Sequence, residues 1–467
     1  MYYFTILQKY IISSMKMKSQ TTNMTEGSIV KLILVFSVPM LIGNIFQQLY
    51  NLADSVIVGQ FIGAKALAAI GATGSVGFFF FALCNGFGSG GGIVTSHFFG
   101  EGDASKVKNC IANTAYIMIV VPLVIGALAF TLASPLLRFL QTPDEIFADS
   151  LSYFRITCLG LIFVSAYNFV SSILRALGDS KTPLYFLIFS TVLNIILDVI
   201  FVFGLRLGVI GAGVATIISQ FLSGFLCLIY AFKTNEYFKL SKVDLQVNPS
   251  LMWKCIRLGV PLSLQFSLIA ISCMALQRVV NSYGAIAVAA FTATSRIEQL
   301  IHQPYQTLAA ALSTFVGQNF GAKKNDRAIL GFKKCMLMMV IITAAMVPLI
   351  QIFGRAITRL FVSDPDVIDM GARALRITSW WYVFLGIIYV TRGILNGIGD
   401  AFFALLNGIV EVIGRFFVPI ILTRIDSIGV WGIWWSVGVV WFMAGVSAYL
   451  RYLYKRAALL LPSSEER

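Results

Sequence analysis

The stretch Gly63-Ala-Lys-Ala-Leu-Ala-Ala-Ile-Gly-Ala-Thr73 returns 221 residues later as Gly284-Ala-Ile-Ala-Val-Ala-Ala-Phe-Thr-Ala-Thr294, identical at seven of eleven positions. The same shift carries Phe99-Gly100 onto Phe320-Gly321 and Leu174 with Gly178-Asp179 onto Leu395 with Gly399-Asp400. It also carries Gly208-Val209 and Gly211 onto Gly429-Val430 and Gly432, and Pro39 and Pro261 stand 222 apart. One register held over such a distance makes the chain two copies of one structural unit.

The unit is built for lipid. Of 467 residues, 58% are apolar and only 12% charged, and the mean hydropathy is +0.83. Soluble domains carry about 25% charged residues, so neither a soluble enzyme nor a disordered chain fits. Apolar runs recur twelve times between residues 30 and 452, each too long for a buried strand. Open sheets cannot exist in lipid and barrel strands alternate in polarity, so the expected fold is an all-α polytopic membrane protein with 12 transmembrane helices. The repeat assigns six to each half. Six is even, so both halves enter the membrane in the same sense, related by a pseudo-twofold axis along its normal, with a substrate site expected between two six-helix bundles. The expected divisions are a mobile cytoplasmic N-terminal segment over 1–27, six-helix bundles over 28–232 and 253–454, a solvated cytoplasmic linker over 233–252 and a cytoplasmic tail over 455–467.

The net charge of +14 does not point to nucleic acid, because the basic residues sit in short gaps between apolar runs. Alternate gaps differ in Lys and Arg by about three to one, which places both termini in the cytoplasm of a cell-membrane protein. The gap over 354–376 dissents, with four arginines and three aspartates, and reads as an amphipathic segment at the outer interface. Tyr2–Ile12 is too short to span, and no small-residue cleavage site follows it, so no signal peptide is read. Met15, Met17 and Met24 are alternative starts. Seven cysteines without a CxxC pair read as packing thiols, and two histidines cannot build a zinc or haem site. No cofactor is expected.

Four acidic residues fall well inside apolar runs: Asp54, Asp198, Glu298 and Glu411. A charge at the bilayer centre costs about 2.5–3.5 kcal/mol even on the lenient insertion scale, so these are functional candidates, with a hydrogen-bonded structural pair as the plain alternative. Under the repeat Asp54 falls on Ala275, Asp198 on Pro419 and Asn194 on Arg415. Packing does not require that difference, and it points to separate duties for the halves. Asn194 and Asp198 share one helix face; amide oxygen beside carboxylate suits Na⁺ or a proton. Glu411 and Arg415 have the same spacing and read as an intrahelical ion pair. Arg296, Glu298, His302 and Gln303 cluster on the eighth helix, where His302 reads equally as a packing residue. Tyr50, Tyr167 and Tyr305 are candidates to line a cavity for planar or cationic ligands.

Two other features read as structural. Glycines 86, 88, 90, 91 and 92 have neither a preceding strand nor a Walker A sequence and suit close helix packing or local flexibility. Trp380, Trp381, Tyr382, Trp431, Trp434 and Trp435 read as an interfacial belt.

The run Pro39-Met-Leu-Ile-Gly-Asn-Ile-Phe-Gln-Gln-Leu-Tyr-Asn-Leu-Ala-Asp54-Ser-Val-Ile-Val-Gly59, with Leu174-Arg-Ala-Leu-Gly-Asp179 and Phe99-Gly100, resembles the multidrug and toxic compound extrusion (MATE) transporters over about residues 25–455. The resemblance implies a V-shaped cleft between the bundles, and export of organic cations and other amphipathic drugs in exchange for H⁺ or Na⁺. It makes Asp54 the family's first-helix aspartate and implies Tyr153, Asn194, Asp198 and Thr216 as its companions in coupling, with Na⁺ held at Asp54, Asn194 and Asp198. Gln47, Tyr50, Tyr167, Gln265, Glu298, His302 and Tyr305 are the expected cleft residues. A second branch of the family keeps a seventh-helix glutamate and a tenth-helix aspartate; here the seventh helix offers only Gln265 and Ser267, and Ile377–Leu395 has no acid. The chain is thus more similar to the DinF-like members, and a monomer in the bilayer is expected.

Two other functions compete. A flippase for a lipid-linked saccharide, from the same superfamily, would want several cleft arginines, whereas Arg155, Arg278, Arg296 and Arg415 alone are counted within or near spans. An intramembrane transferase would need paired metal-binding aspartates or a histidine-centred group at a membrane edge, and no DxxxD or DDxxD cluster occurs.

Overall fold

The computed structural model describes residues 20–460, except for the side chains at 49, 51–56, 60, 61, 64, 270, 274, 275 and 457–460. Within that range the chain is helical, with no strand. The first half holds α1 (Ile29–Phe61), α2 (Ala64–Glu101), α3 (Ala104–Phe139), α4 (Asp144–Ala176), α5 (Lys181–Asp198) and α6 (Gly208–Thr234). The second holds α7 (Pro249–Asn281), α8 (Gly284–Gly321), α9 (Asn325–Arg359), α10 (Pro365–Ser379), α11 (Tyr382–Gly397), α12 (Ala401–Thr423) and α13 (Gly432–Leu460). Among the described residues ten helices are long and apolar enough to cross a membrane, and α10 with α11, bent by 54°, makes an eleventh span. α8, the repeat counterpart of α2, has 38 residues and a length of about 57 Å but carries Arg296, Glu298 and His302 and is not among those ten.

Turn chemistry sets the helix ends. Asp103 accepts from Lys106 N at 3.0 Å to cap α3, Asn248 accepts from Leu251 N at 3.1 Å to cap α7, and Asp364 accepts from Asp366 N at 2.9 Å before Pro365 opens α10. The repeat is visible in the backbone itself. Gly63 and Gly284, Gly178 and Gly399, and Gly208 and Gly429 all carry positive φ, so the shared glycines mark the same left-handed turns in both halves. Lys323 (φ 58°) takes the turn that Gly102 (φ 81°) makes in the first half.

Three readings change. The segment 354–376 is not a separate interfacial piece. It is the end of α9 followed by α10, whose inner face buries Val367, Ile368, Ala374 and Leu375 while Arg355 and Asp369 pair outside at 3.2 Å. The tenth span therefore begins at Pro365 and does contain acids, on its solvated side. The aromatic belt holds only for exposed residues such as Trp380 and Trp435; Trp434 and Tyr382 are core residues, fully enclosed by the second half, and the Trp434 indole donates to Thr294 at 3.3 Å. The linker is anchored rather than merely solvated. Phe238 is buried, Asn109 donates to the Asp244 and Gln246 carbonyls at 3.0 and 2.9 Å, and Tyr116 donates to Leu245 O at 2.8 Å. Hydrogen bonds from the Ser241 hydroxyl and N–H hold the Asp244 carboxyl below the usual carboxylate range.

The glycine run is close packing. A Cβ on Gly86 would lie 2.3 Å from Ser263 N, and one on Gly90 would lie 2.6 Å from Gly259 N, so α2 and α7 meet backbone to backbone. Farther along α2, Gly71, Gly74 and Gly77 face open space. The halves are pressed together where Gly90, Gly100 and Gly321 meet the opposite backbone. The first helices bridge them: Ile29, Ile33 and Phe36 of α1 pack in the second half's core with Phe315 and Val316.

Candidate functional site

In the first half a polar chain links three helices. Asn194 and Asp198 lie one turn apart on α5 and are completely buried. The Asn194 amide, turned with its oxygen toward Thr216 N (3.3 Å), donates to Asp198 Oδ2 at 2.9 Å. Thr216 on α6 in turn meets the Tyr50 hydroxyl of α1 at 3.3 Å. Tyr153 of α4 packs one turn from Thr216, its ring 3.4 Å from where a Cβ on Gly213 would stand. A π-helical turn, Val199–Gly204, begins immediately after Asp198; such turns concentrate at functional sites. The side chain of Asp54 lies outside the described residues. On the same helix Tyr50, one turn before it, touches Thr216, and Val58, one turn after it, packs with Val202 and Tyr153. With the Asn194 N–H on Asp198 the arrangement suits a proton, and with the amide turned over its oxygen joins the carboxylate as hard donors for a small monovalent cation.

The second half places charge differently. Glu411 of α12 pairs with Arg415 at 3.5 Å, as its spacing predicts, but its closer partner is Arg392 of α11. Arg392 was missing from the arginines counted in spans, although its place in Tyr389-Val-Thr-Arg392-Gly was a legible intramembrane charge. It also donates to Asn407 Oδ1 at 2.7 Å, and the Gln265 amide oxygen, suitably turned, accepts from it at 3.1 Å. Arg415 donates to the Ser272 hydroxyl at 3.1 Å and to Cys273 Sγ at 3.0 Å. Glu298 Oε1 and His302 Nε2 on α8 are enclosed without a hydrogen-bond partner, the His302 ring lying between Tyr389 and Trp441.

The cleft candidates separate accordingly. Gln47, Tyr50, Glu298 and His302 are half-buried on α1 and α8, which approach each other where Asn44 donates to Thr307 at 3.3 Å. Tyr167 is half-buried with its hydroxyl bound to Pro183 O at 2.9 Å, inside the first bundle. Gln265 is buried against Arg392. Tyr305 is sealed in the second core with its hydroxyl on Thr343 at 2.8 Å, so it does not line a cleft in this conformation.

Comparison with known proteins agrees with this architecture. The MatE family model matches residues 39–200 and 261–420, one copy in each half. The chain is 31% identical over 436 residues to the probable multidrug resistance protein YpnP of Bacillus subtilis, covering 92% of this chain and 96% of that one. It is 24% identical over 440 residues to the multidrug export protein MepA of Staphylococcus aureus, covering 94% and 97%. Among solved structures, the outward-facing conformation of a multidrug resistance MATE family transporter of the MOP superfamily superposes with a TM-score of 0.89 at 24% identity, over 95% of this chain and all of that one.

Proposed function

Because this chain belongs to the MatE family of multidrug efflux transporters, we propose that it is a secondary antiporter that exports organic cations and other amphipathic compounds in exchange for H⁺ or Na⁺. The observation that carries this reading is the buried Asp198–Asn194–Thr216–Tyr50 chain. It ties the cleft-lining helix α1 to a buried carboxylate bonded by the Asn194 amide, whereas the second half's Glu411 is occupied by two arginines. A buried carboxylate can be neutralised by taking up a proton or by pairing with Na⁺, and one already paired with two arginines does not need to be.

In the coupling cycle, Asp54 and Asp198 take up the ion when the cleft opens outward. Rearrangement of α1 around Pro39 and Gly43 then moves Tyr50 and Gln47 and expels the substrate. Glu298 and His302, on the opposite wall, supply the polar groups that receive a cationic or hydrogen-bonding drug. The pressed end of the structure, which carries the N-terminal segment and the linker, is the cytoplasmic one, following the distribution of Lys and Arg. A lipid-linked saccharide flippase is less well supported, because Arg392 adds no free anion-binding group: Glu411, Asn407 and Gln265 take up its donors.

The test is efflux of a dye cation from proteoliposomes under an imposed H⁺ gradient and, separately, a Na⁺ gradient, for wild type and Asp54→Asn. Efflux that follows one gradient and disappears with Asp54→Asn establishes antiport and names the ion. Folded protein that moves no dye under either gradient refutes it in favour of a lipid-linked substrate.

A further inference from the structure

The pressed end is closed by more than the two halves. Residues 21–27, which precede α1, run across the junction and bond to both sides of it. Toward the first half, Thr22 N–H donates to Leu177 O at 3.1 Å, and Asn235 donates to the Thr21 hydroxyl at 3.2 Å. Gly178, at φ +83°, lies so close that a Cβ there would stand 2.2 Å from Thr22 O. Toward the second half, Met24 N–H donates to Gln318 Oε1 at 2.8 Å and Asn319 donates back to Met24 O at 3.2 Å. Lys324 Nζ donates to Thr25 O at 3.1 Å, and Arg327 donates to Gly27 O at 2.8 Å. The Met24 side chain is 1% exposed, within the second half's core. Gln318 is the common node, for its own amide also donates to Ala176 O of the first half at 2.9 Å.

The repeat shows what is unusual here. The linker occupies the equivalent place before α7 and crosses to α3 of the first half through Asn109, Asn113 and Tyr116. Its two ends are continuous with the two bundles, so it can stay bound to α3 through a rigid-body movement. The 21–27 segment leads directly into α1, yet its bonds reach the turn after α4, the end of α8 and the start of α9. When α2 and α8 separate at this end, those bonds cannot all survive.

We propose that residues 21–27 form a latch that holds the closed end shut by bridging both halves, and that must release from α8 and α9 before the cleft can open on this side. The proposal rests on the two-state cleft of an exporter, though not on which ion drives it. Lys324 and Arg327 hold the latch by the carbonyls of Thr25, Met24 and Gly27, and Arg327 also lies 5.5 Å from the Phe315 ring, so Lys324→Ala alone isolates the carbonyl bond from the packing around Met24.

The deciding measurement is the distance distribution between spin labels at Ser105→Cys on α3 and Lys333→Cys on α9, exposed sites flanking this end. It is made on the full-length protein in nanodiscs, with the exposed Cys273 replaced by serine. Lys324→Ala with Arg327→Ala should raise the long-distance, open population at least threefold; an unchanged distribution overturns the latch. Lys324→Ala alone serves if the double variant yields no folded protein, with a smaller rise expected. As a second arm, a cleavable bis-maleimide joining Glu26→Cys to Lys324→Cys should suppress the open population until the linker is reduced. An open population unaffected by that cross-link also overturns the proposal. Both arms read distances without substrate, so a failure of the export reading would leave them intact and would show itself only in the efflux assay.

Discussion

Gly100 and Gly321 each rest on the backbone of the other's helix. A Cβ on Gly100 would lie 1.8 Å from Gln318 O, and one on Gly321 would lie 1.9 Å from His97 O. Since 97 and 318 are themselves repeat-equivalent, the contact is reciprocal, as a C₂ interface would be between two chains. The neighbouring side chains repeat the pattern: His97 bonds Gly397 O at 2.6 Å and Gln318 bonds Ala176 O at 2.9 Å, and 397 and 176 are again 221 apart.

Valine at either glycine should therefore prevent this end from closing. Gly100→Val and Gly321→Val are expected to reduce dye efflux at least tenfold and to lengthen the Ser105–Lys333 distance to similar extents. Gly74→Ala, with nothing near its Cβ, should leave both readings at wild-type values. Equal activity of all three variants would contradict the reciprocal closure.

Asp198→Asn should uncouple the exporter, because a neutral amide cannot exchange charge with the driving ion. Efflux under a gradient falls to the passive rate, while drug binding, measured by equilibrium fluorescence, stays within a few fold. Thr216→Val removes the hydroxyl that meets Tyr50 and leaves the backbone N–H that faces Asn194. It is expected to slow efflux and shift the pH or Na⁺ dependence without abolishing transport.

Glu411→Gln should cost stability rather than coupling. Removing one partner of a buried ion pair strands the other charge, at about 3–5 kcal/mol. Here Arg392 and Arg415 are both left, so a clear drop in melting temperature is expected. The double variant Glu411→Gln with Arg392→Gln strands only Arg415 and should melt above the single one. A gradient dependence lost in Glu411→Gln but kept in Asp198→Asn would mean the halves' roles are reversed.

Gly178→Ala tests the first-half anchor of the N-terminal segment. Its left-handed φ alone costs a residue with a Cβ about 1 kcal/mol, and the collision with Thr22 O adds to it. The variant should fold with reduced thermal stability and populate the open end more than wild type, measured by the same spin-label pair. Gly399→Ala at the equivalent turn has the same φ but no strap against it, its nearest neighbours being His97 at 3.6 Å and Leu258 at 3.9 Å. It should lose stability only.

Much of the site was legible because burying charge in lipid is expensive enough to be visible one residue at a time. Asp54, Asn194, Asp198 and Glu411 stand out against apolar runs, and i,i+4 spacing places Asn194 beside Asp198 and Glu411 beside Arg415. Arg392 was equally visible but needed a scan for cations as well as acids. Its pairing with Glu411 crosses from α11 to α12, and no spacing rule on one helix reveals that. Tyr305 and Trp434 misled because an aromatic residue in an apolar run has the same composition whether it faces a cleft, the interface or the core.

What the sequence determined by itself is the class and symmetry: a 221-residue repeat of apolar runs admits only helices in lipid, six to a half. The left-handed glycines at its turns are legible too, since a backbone conformation that excludes a Cβ leaves its mark on residue type. Only the tertiary structure decided which glycines bring the halves together, since Gly74 and Gly90 differ in nothing but what lies opposite. It alone corrected the expectation of a mobile segment over 1–27: residues 21–27 are a bonded strap, because a bond from Met24 to Gln318 depends on parts of the chain 294 positions apart being brought together. Local preference is written along the chain, whereas the closeness of two helices is set by how all of them pack.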